Sequence, residues 1–256
     1  MKIGVSYNIF DGEELLEGSI NTIKDSVDHI TVVFQRISNF GAKCSDNIIH
    51  LLRSLKERGL VHRVVEYTPV IGKGGSYNEL IKRNIGLGLS RENGCTHHLA
   101  MDADEYYLKD EFEYMKKVVE EGNYDSSACQ MVTYYKSWEH RLDPPENYYV
   151  SLLFKINENT DFIFAQPFPV EVDPTRRMVS KNCKIFKREE IEMHHGSYIR
   201  NDIKIKLQNS SAKVAYNWDI NKVSKYFDEW VDGKKGLLLK PNEEYVKLKK
   251  NKSLFV

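Results

Sequence analysis

Two carboxylates, Asp102 and Asp104, stand one residue apart just after an apolar run at residues 97–101. Side chains at i and i+2 point the same way on an extended chain, or converge across a tight turn. Such a pair suits a hard cation, Mn²⁺ or Mg²⁺, which takes oxygen ligands and keeps other positions for phosphate oxygens. A cation held there would stabilise the charge that collects on a departing diphosphate. A solvated acidic turn uses the same letters, so the elements around the pair decide its meaning.

Those elements alternate. Residues 2–7, 30–34, 63–67, 97–101 and 127–135 form apolar or β-branched runs that predict five strands. Between them, Leu16, Ile20, Ile23 and Val27 share one helical face, and Ile48, Leu52 and Leu55 share another that should stop at Gly59. Residues 76–94 form the strongest helix pattern, followed by a shorter one through Phe112, Met115 and Val119. Asp11 with Glu14, Ser76 with Glu79, and Asp110 with Glu113 have the spacing of capping boxes. Alternation of this kind predicts an α/β fold with a mixed, mostly parallel sheet flanked by helices. Ligands of such sheets sit at the carboxyl ends of the strands, where the acidic pair lies. Phosphohydrolases with an Asp-x-Asp nucleophile place it after the first strand and continue into Thr or Val. Here it follows the fourth strand and runs into Glu105-Tyr106.

The second half is less regular. Prolines at 144, 145, 167, 169 and 174 divide it into short strands, including 148–156 and 162–164, then helices at 201–211 and 219–232. The lysine-bearing tail after Gly233 is expected at the surface. No repeat or linker appears, so residues 1–256 are expected to form one domain, with a ligand-binding half (1–135) and a less regular half (136–256).

Lys plus Arg and Asp plus Glu both total 37. That balance argues against nucleic acid as a partner, because phosphate-backbone binding needs basic excess. The four cysteines are far apart, so neither a disulfide framework nor a thiolate zinc site is expected. No charged leader and no apolar run of about 20 residues appears. No transmembrane segment is therefore expected, and the expected location is cytoplasmic.

Residues 78–87, Asn-Glu-Leu-Ile-Lys-Arg-Asn-Ile-Gly-Leu, followed by His98-Leu99-Ala100-Met101-Asp102-Ala103-Asp104-Glu105, resemble the core signature of family 2 glycosyltransferases with the GT-A, Rossmann-like fold. Tyr7-Asn8, with Glu13, Glu14 and the helix through Ser19-Ile20, resembles that family's first strand and helix. The resemblance covers roughly the first half. It implies transfer of a sugar from a nucleoside-diphosphate donor, UDP by default, to a hydroxyl acceptor on a glycan, lipid-linked sugar or protein, with inversion. It places Tyr7 and Asn8 near the nucleoside, Arg83 and Asn84 near base or phosphates, and Asp102 and Asp104 on ribose and metal. Where the family has Asp at the end of the second strand, this chain has Gln35, an amide that can still donate and accept.

His194 and His195 are candidate further metal ligands, with His195 preferred, since neutral imidazole binds Mn²⁺-type cations. Arg200 is a candidate for the diphosphate. Inverting transfer needs a carboxylate base near the acceptor hydroxyl. Glu139, Asp143 and Glu146 are the candidates, with Asp143 preferred. Residues 173–177, Asp-Pro-Thr-Arg-Arg, could close over a diphosphate or form a surface turn. Glycines 72, 74 and 75 form no P-loop. A sugar nucleotidyltransferase and a non-catalytic nucleotide- or carbohydrate-binding module remain open as alternatives.

Overall fold

The computed structural model of the chain describes residues 1–214, 219–239 and 243–255. Four strands form its parallel half: β1 (Ile3–Ile9), β2 (His29–Phe34), β3 (Arg63–Glu66) and β4 (His97–Asp102). They lie in the order β3-β2-β1-β4, all parallel. β1 and β2 are buried almost end to end, as strands covered on both faces must be.

The two faces of β1 meet different helices. Ile3, Val5, Tyr7 and Ile9 join one core with α1 (Glu13–Ile23), α2 (Asp46–Glu57) and α4 (Lys109–Glu121). The alternate residues face α3 (Gly75–Glu92). There a Cβ on Gly86 would stand 2.2 Å from Ser6 Oγ, and one on Gly4 would stand 2.3 Å from Ser90 Oγ. Glycine on one element thus faces serine on the other, and α3 lies close enough to the sheet to carry its side chains to the end of β4.

The second half completes a mixed sheet. β6 (Ser126–Tyr135) and β8 (Tyr149–Lys155) extend it beyond β4, with β8 antiparallel to both neighbours. β7 (Ser137–Leu142) turns back along β6 and pairs on its far side with β13 (Leu248–Lys250). β5 (Glu105–Tyr106), β9 (Cys183–Ile185) and β10 (Glu192–Tyr198) are short additions. Two helices follow, α5 (Ile203–Asn209) and α6 (Ile220–Asp228), and then the hairpin β11 (Gly236–Leu239) with β12 (Glu243–Val246). The α/β class and flanking helices expected from the sequence are present.

Several local expectations change. α1 is capped by Gly12 at φ 88°, α3 by Gly74 at φ 83° and α4 by Leu108, none with a side-chain cap bond. The three capping boxes do not form: Asp11 and Glu79 line a cleft instead, and Glu113 accepts from Lys116. Residues 162–164 are not a strand, although Phe162 is buried. The tail after Gly233 is not merely surface. Leu237, Leu238 and Leu239 close a second core with Tyr135, Tyr198 and Phe227, although residues 240–242 and 256 lie outside the described ones. No helix among the described residues is long and apolar enough to cross a membrane.

Candidate functional site

A cleft of about 650 Å³ opens where β1, β2 and β4 end and α3 begins. Among the described residues its lining carries six carboxylates (Asp11, Glu79, Asp102, Asp104, Glu105, Asp173) and five cations (Lys82, Arg83, Arg176, Arg200, Lys206). With charge so nearly balanced, the arrangement of pairs decides which groups remain for a ligand.

Asp102 ends β4, and Asp104 follows in a turn. β5 then leaves the main sheet and pairs antiparallel with β10, which runs parallel to the end of β6. This register sets His195 opposite Glu105 on one side and Thr133 on the other. The Gly196 N–H donates to the Asp104 carbonyl at 2.7 Å. His195 Nε2 consequently stands 3.8 Å from Asp104 Oδ1, while its Nδ1 lies 3.4 Å from Thr133 Oγ1. Strand alternation turns His194 to the other face. There its Nδ1 lies 2.9 Å from the Tyr134 hydroxyl and its ring packs on Phe255. His194 is therefore outside the cleft, contrary to its placement among the metal candidates.

Each aspartate of the pair has its own arginine. Arg200 Nη2 donates to Asp104 Oδ2 at 2.6 Å. Its close approach requires Gly12, since a Cβ there would stand 2.4 Å from Arg200 Nη1. Burial opposes ionisation of Asp104, but Arg200, His195 and Lys206 outweigh it and hold the carboxyl below the usual carboxylate range. Arg176 Nη2 donates to Asp102 Oδ2 at 2.6 Å and also to Glu105, while its Nη1 reaches Glu105 Oε2 at 2.9 Å. Arg83 Nη2 stands 3.5 Å from both Asp102 oxygens, and its Nε donates to Thr175 Oγ1 at 3.0 Å. Burial raises the Asp102 carboxyl, but Arg176 and Arg83 bring it below its ordinary value. Glu105 differs: burial pushes it up, to about 7, against the pull of Arg176.

Asp104 Oδ1 and His195 Nε2 fit a divalent cation as a partial donor set. One is a hard oxygen and the other a ring nitrogen of an imidazole that burial lowers below its usual value. Adjacent ligands in an octahedral shell of about 2.1 Å stand about 3.0 Å apart, so the two donors would close by under about 1 Å from their 3.8 Å separation. Among the described residues no three His, Cys, Asp or Glu side chains converge into a closed cage. An open pair of donors would need oxygens from elsewhere, such as phosphate, to complete the shell.

The nucleoside candidates divide. Asn8 and Gln35 line the cleft. Gln35 Nε2 donates to the Ile37 carbonyl at 2.8 Å and to Asn39 Oδ1 at 3.2 Å. Because Ile37 O can only accept, the amide orientation is determined, and Gln35 Oε1 is left buried without a partner among the described residues. Asn8 Nδ2 donates to the Glu79 carbonyl at 3.4 Å, leaving Asn8 Oδ1 in the same condition. Tyr7 does not reach the cleft. It alternates with Asn8, and its hydroxyl lies 3.1 Å from Ser19 Oγ beneath α1. Asn84 is also turned away, because one residue past Arg83 is about 100° round the helix. Its side chain clasps the Phe162 backbone, donating to O at 3.1 Å and accepting from N at 2.8 Å.

None of the three base candidates lines the cleft. β7 and its pairing with β13 carry the loop away from β4. Asp143 is exposed, and its N–H donates to Lys247 O. Glu139 lies 3.9 Å from Lys250. Glu146 is nearer than Asp143, accepting from Thr133 N at 3.1 Å beside His195. Sequence reasoning also missed the parts played by Lys82, Glu105 and Lys206, and left Arg176 as one residue of an undecided turn. Lys82 and Glu105 adjoin residues already singled out, whereas nothing in spacing alone marks Lys206.

No family model and no curated protein sequence matches the chain. Among solved structures, S. aureus TarS 1-349 aligns with TM-score 0.49 and 11% identity, over 82% of this chain and 66% of that one. The same protein with UDP-GlcNAc gives TM-score 0.39 and 17% identity, over 52% of this chain and 35% of that one. A mannose-1-phosphate geranyltransferase from Thermus thermophilus gives 0.32 and 13%, over 61% and 51%. The chain spans about a third of the length of the TarS structures solved with UDP and with UDP-GlcNAc. What the cleft can do is decided by its own residues.

Proposed function

We propose that the chain is a glycosyltransferase that binds a nucleoside-diphosphate sugar, with UDP as the default carrier, and passes the sugar to a hydroxyl acceptor. The observation that carries this reading is the juxtaposition of Asp104 with His195 at the end of β4, in a cleft lined by five cations. Asp104 and His195 would hold Mn²⁺ or Mg²⁺, with Asp102 alongside. When bound, the cation would supply Lewis-acid stabilisation of a departing diphosphate.

The chain's own residues do the rest. Arg200 and Arg176 orient the two aspartates and keep them ionised. Gln35 Oε1 and Asn8 Oδ1 offer neutral acceptors to N–H or O–H groups of a nucleoside. The imide N–H of uracil suits Gln35 Oε1, because an uncharged acceptor takes a neutral donor at little desolvation cost. Inversion and a glycan or glycoconjugate acceptor belong to the same proposal, on the resemblance of residues 78–87 and 98–105 to family 2.

Thermal shift with nucleoside diphosphates, with and without Mn²⁺, tests it. UDP with Mn²⁺ is expected to raise Tm, and Asp104→Ala to abolish the metal-dependent part. If no nucleoside diphosphate stabilises the protein under either condition, the proposal is wrong.

A further inference from the structure

The arginines of the cleft are already engaged with carboxylates. Arg176 holds Asp102 and Glu105, Arg200 holds Asp104, and Arg83 stands between Asp102 and Asp173. The two lysines are not. Lys82 on α3 is only 4% exposed. Among the described residues it makes no hydrogen bond and no ion pair, yet it lines the cleft. Lys206 on α5 makes one hydrogen bond, to Ser197 Oγ, and no ion pair among the described residues.

Both lysines line the cleft, Lys82 from α3 and Lys206 from α5. The carboxylates that act most strongly on Lys82 are Glu79, then Asp102 and Asp11, and those that act on Lys206 are Asp104, then Asp11 and Asp102. A buried ammonium without a partner is costly to a fold. Glu79, one turn back on α3, acts on Lys82 without closing an ion pair with it and accepts from Ser211 Oγ. The cation is thereby left for something that enters the cleft.

We infer that Lys82 and Lys206 form the diphosphate clamp of this cleft, with Lys82 the main contact, and that the arginines serve to position the aspartates. This rests on the proposed function and deepens it. It reassigns the anion contacts from Arg83 and Arg200, where the sequence placed them, to two residues it did not single out. An ammonium is a compact point charge that can meet either phosphate, whereas a guanidinium bonded to a carboxylate, as Arg200 is to Asp104, cannot leave it cheaply.

The test is calorimetric titration of wild type, Lys82→Met and Lys206→Met with inorganic pyrophosphate, with UDP and with uridine, in Mg²⁺-free and Mg²⁺ buffers, alongside Tm of the free proteins. Lys82→Met is expected to weaken pyrophosphate and UDP at least tenfold and leave uridine unchanged. Lys206→Met is expected to weaken the same two ligands less. Free Lys82→Met is expected to melt at or above wild type, because an unpartnered buried charge has gone. Wild-type affinity for pyrophosphate and UDP in Lys82→Met would overturn the clamp and leave the glycosyltransferase reading standing. So would a lower Tm with parallel loss of uridine binding, which would mark Lys82 as structural. If wild type binds neither pyrophosphate nor any nucleoside diphosphate, both proposals fail.

Discussion

Arg176→Met is the sharpest probe of how the acidic pair is held. Arg176 and Glu105 are each 4% exposed at the side chain, and the guanidinium also donates to Asp102 at 2.6 Å and to the Ala100 carbonyl at 3.3 Å. Methionine keeps the apolar stem and removes every one of these bonds. Breaking a buried pair on one side costs about 3–5 kcal/mol. With an unfolding entropy of about 2.1 cal/mol/K per residue, 256 residues give about 0.5 kcal/mol/K, so Tm should fall by about 6–9 °C. The loss should depend on pH. Burial already raises Glu105 to about 7, and without Arg176 it rises further. The folded variant then holds a proton that the unfolded chain releases near the ordinary carboxylate value, so its stability grows as pH falls through the raised value. Differential scanning calorimetry at pH 8 and pH 5.5 should show the larger deficit at pH 8. Adding Glu105→Leu should recover much of it, since an apolar pair of similar volume is tolerated. A drop under about 2 °C at pH 8, or no recovery in the double variant, would refute the view that Arg176 neutralises a buried carboxylate.

Two further outcomes concern the scaffold. Gly86→Ala would place a Cβ 2.2 Å from Ser6 Oγ and 2.3 Å from its Cβ. Overpacking of about 1–3 kcal/mol should exceed the gain in helix propensity, lowering the denaturant midpoint. Ser6→Gly in the same chain should restore it, and failure to restore would mean that α3 does not rest on β1 at this point. His98 is fully buried, with Ser90 Oγ 2.8 Å from its Nδ1. Burial, then Arg83 and Arg91, pushes its imidazole down to about 3. The unfolded chain therefore takes up a proton near 6.5 that the fold refuses, and stability falls as pH drops from about 6.5 toward about 3. Urea melts at pH 7 and pH 5 should show a larger acid loss in wild type than in His98→Gln; equal losses would contradict a neutral, buried His98.

The first half of the fold was legible because its signals are local. Strands covered on both faces demand apolar runs, and the helices between them repeat Leu and Ile at helical spacing. The position of Asp102 and Asp104 beyond a strand end follows from the same alternation. Helix starts were less legible: Asp11 and Glu79 have capping-box spacing, but both line the cleft, so the caps fell to glycines with positive φ. Tyr7 and Asn84 were misplaced by one-residue effects, since strand alternation and a 100° helical step each decide which neighbour faces the cleft.

Sequence alone thus determined that an acidic pair stands at the mouth of a parallel sheet. It could not determine most of what surrounds that pair, because Arg176 and Arg200 come from 74 and 96 residues away. Only the pairing of β5 with β10 brings His195 to Asp104 and turns His194 from it. Only the 3-10 turn Pro174–Arg176, packed on α3, delivers Arg176 to Asp102 and Glu105. Which cations are left for a ligand is a question of which pairs have already closed. In a buried, low-dielectric cleft each charge takes the nearest opposite charge that geometry allows, and that choice is made by tertiary distances.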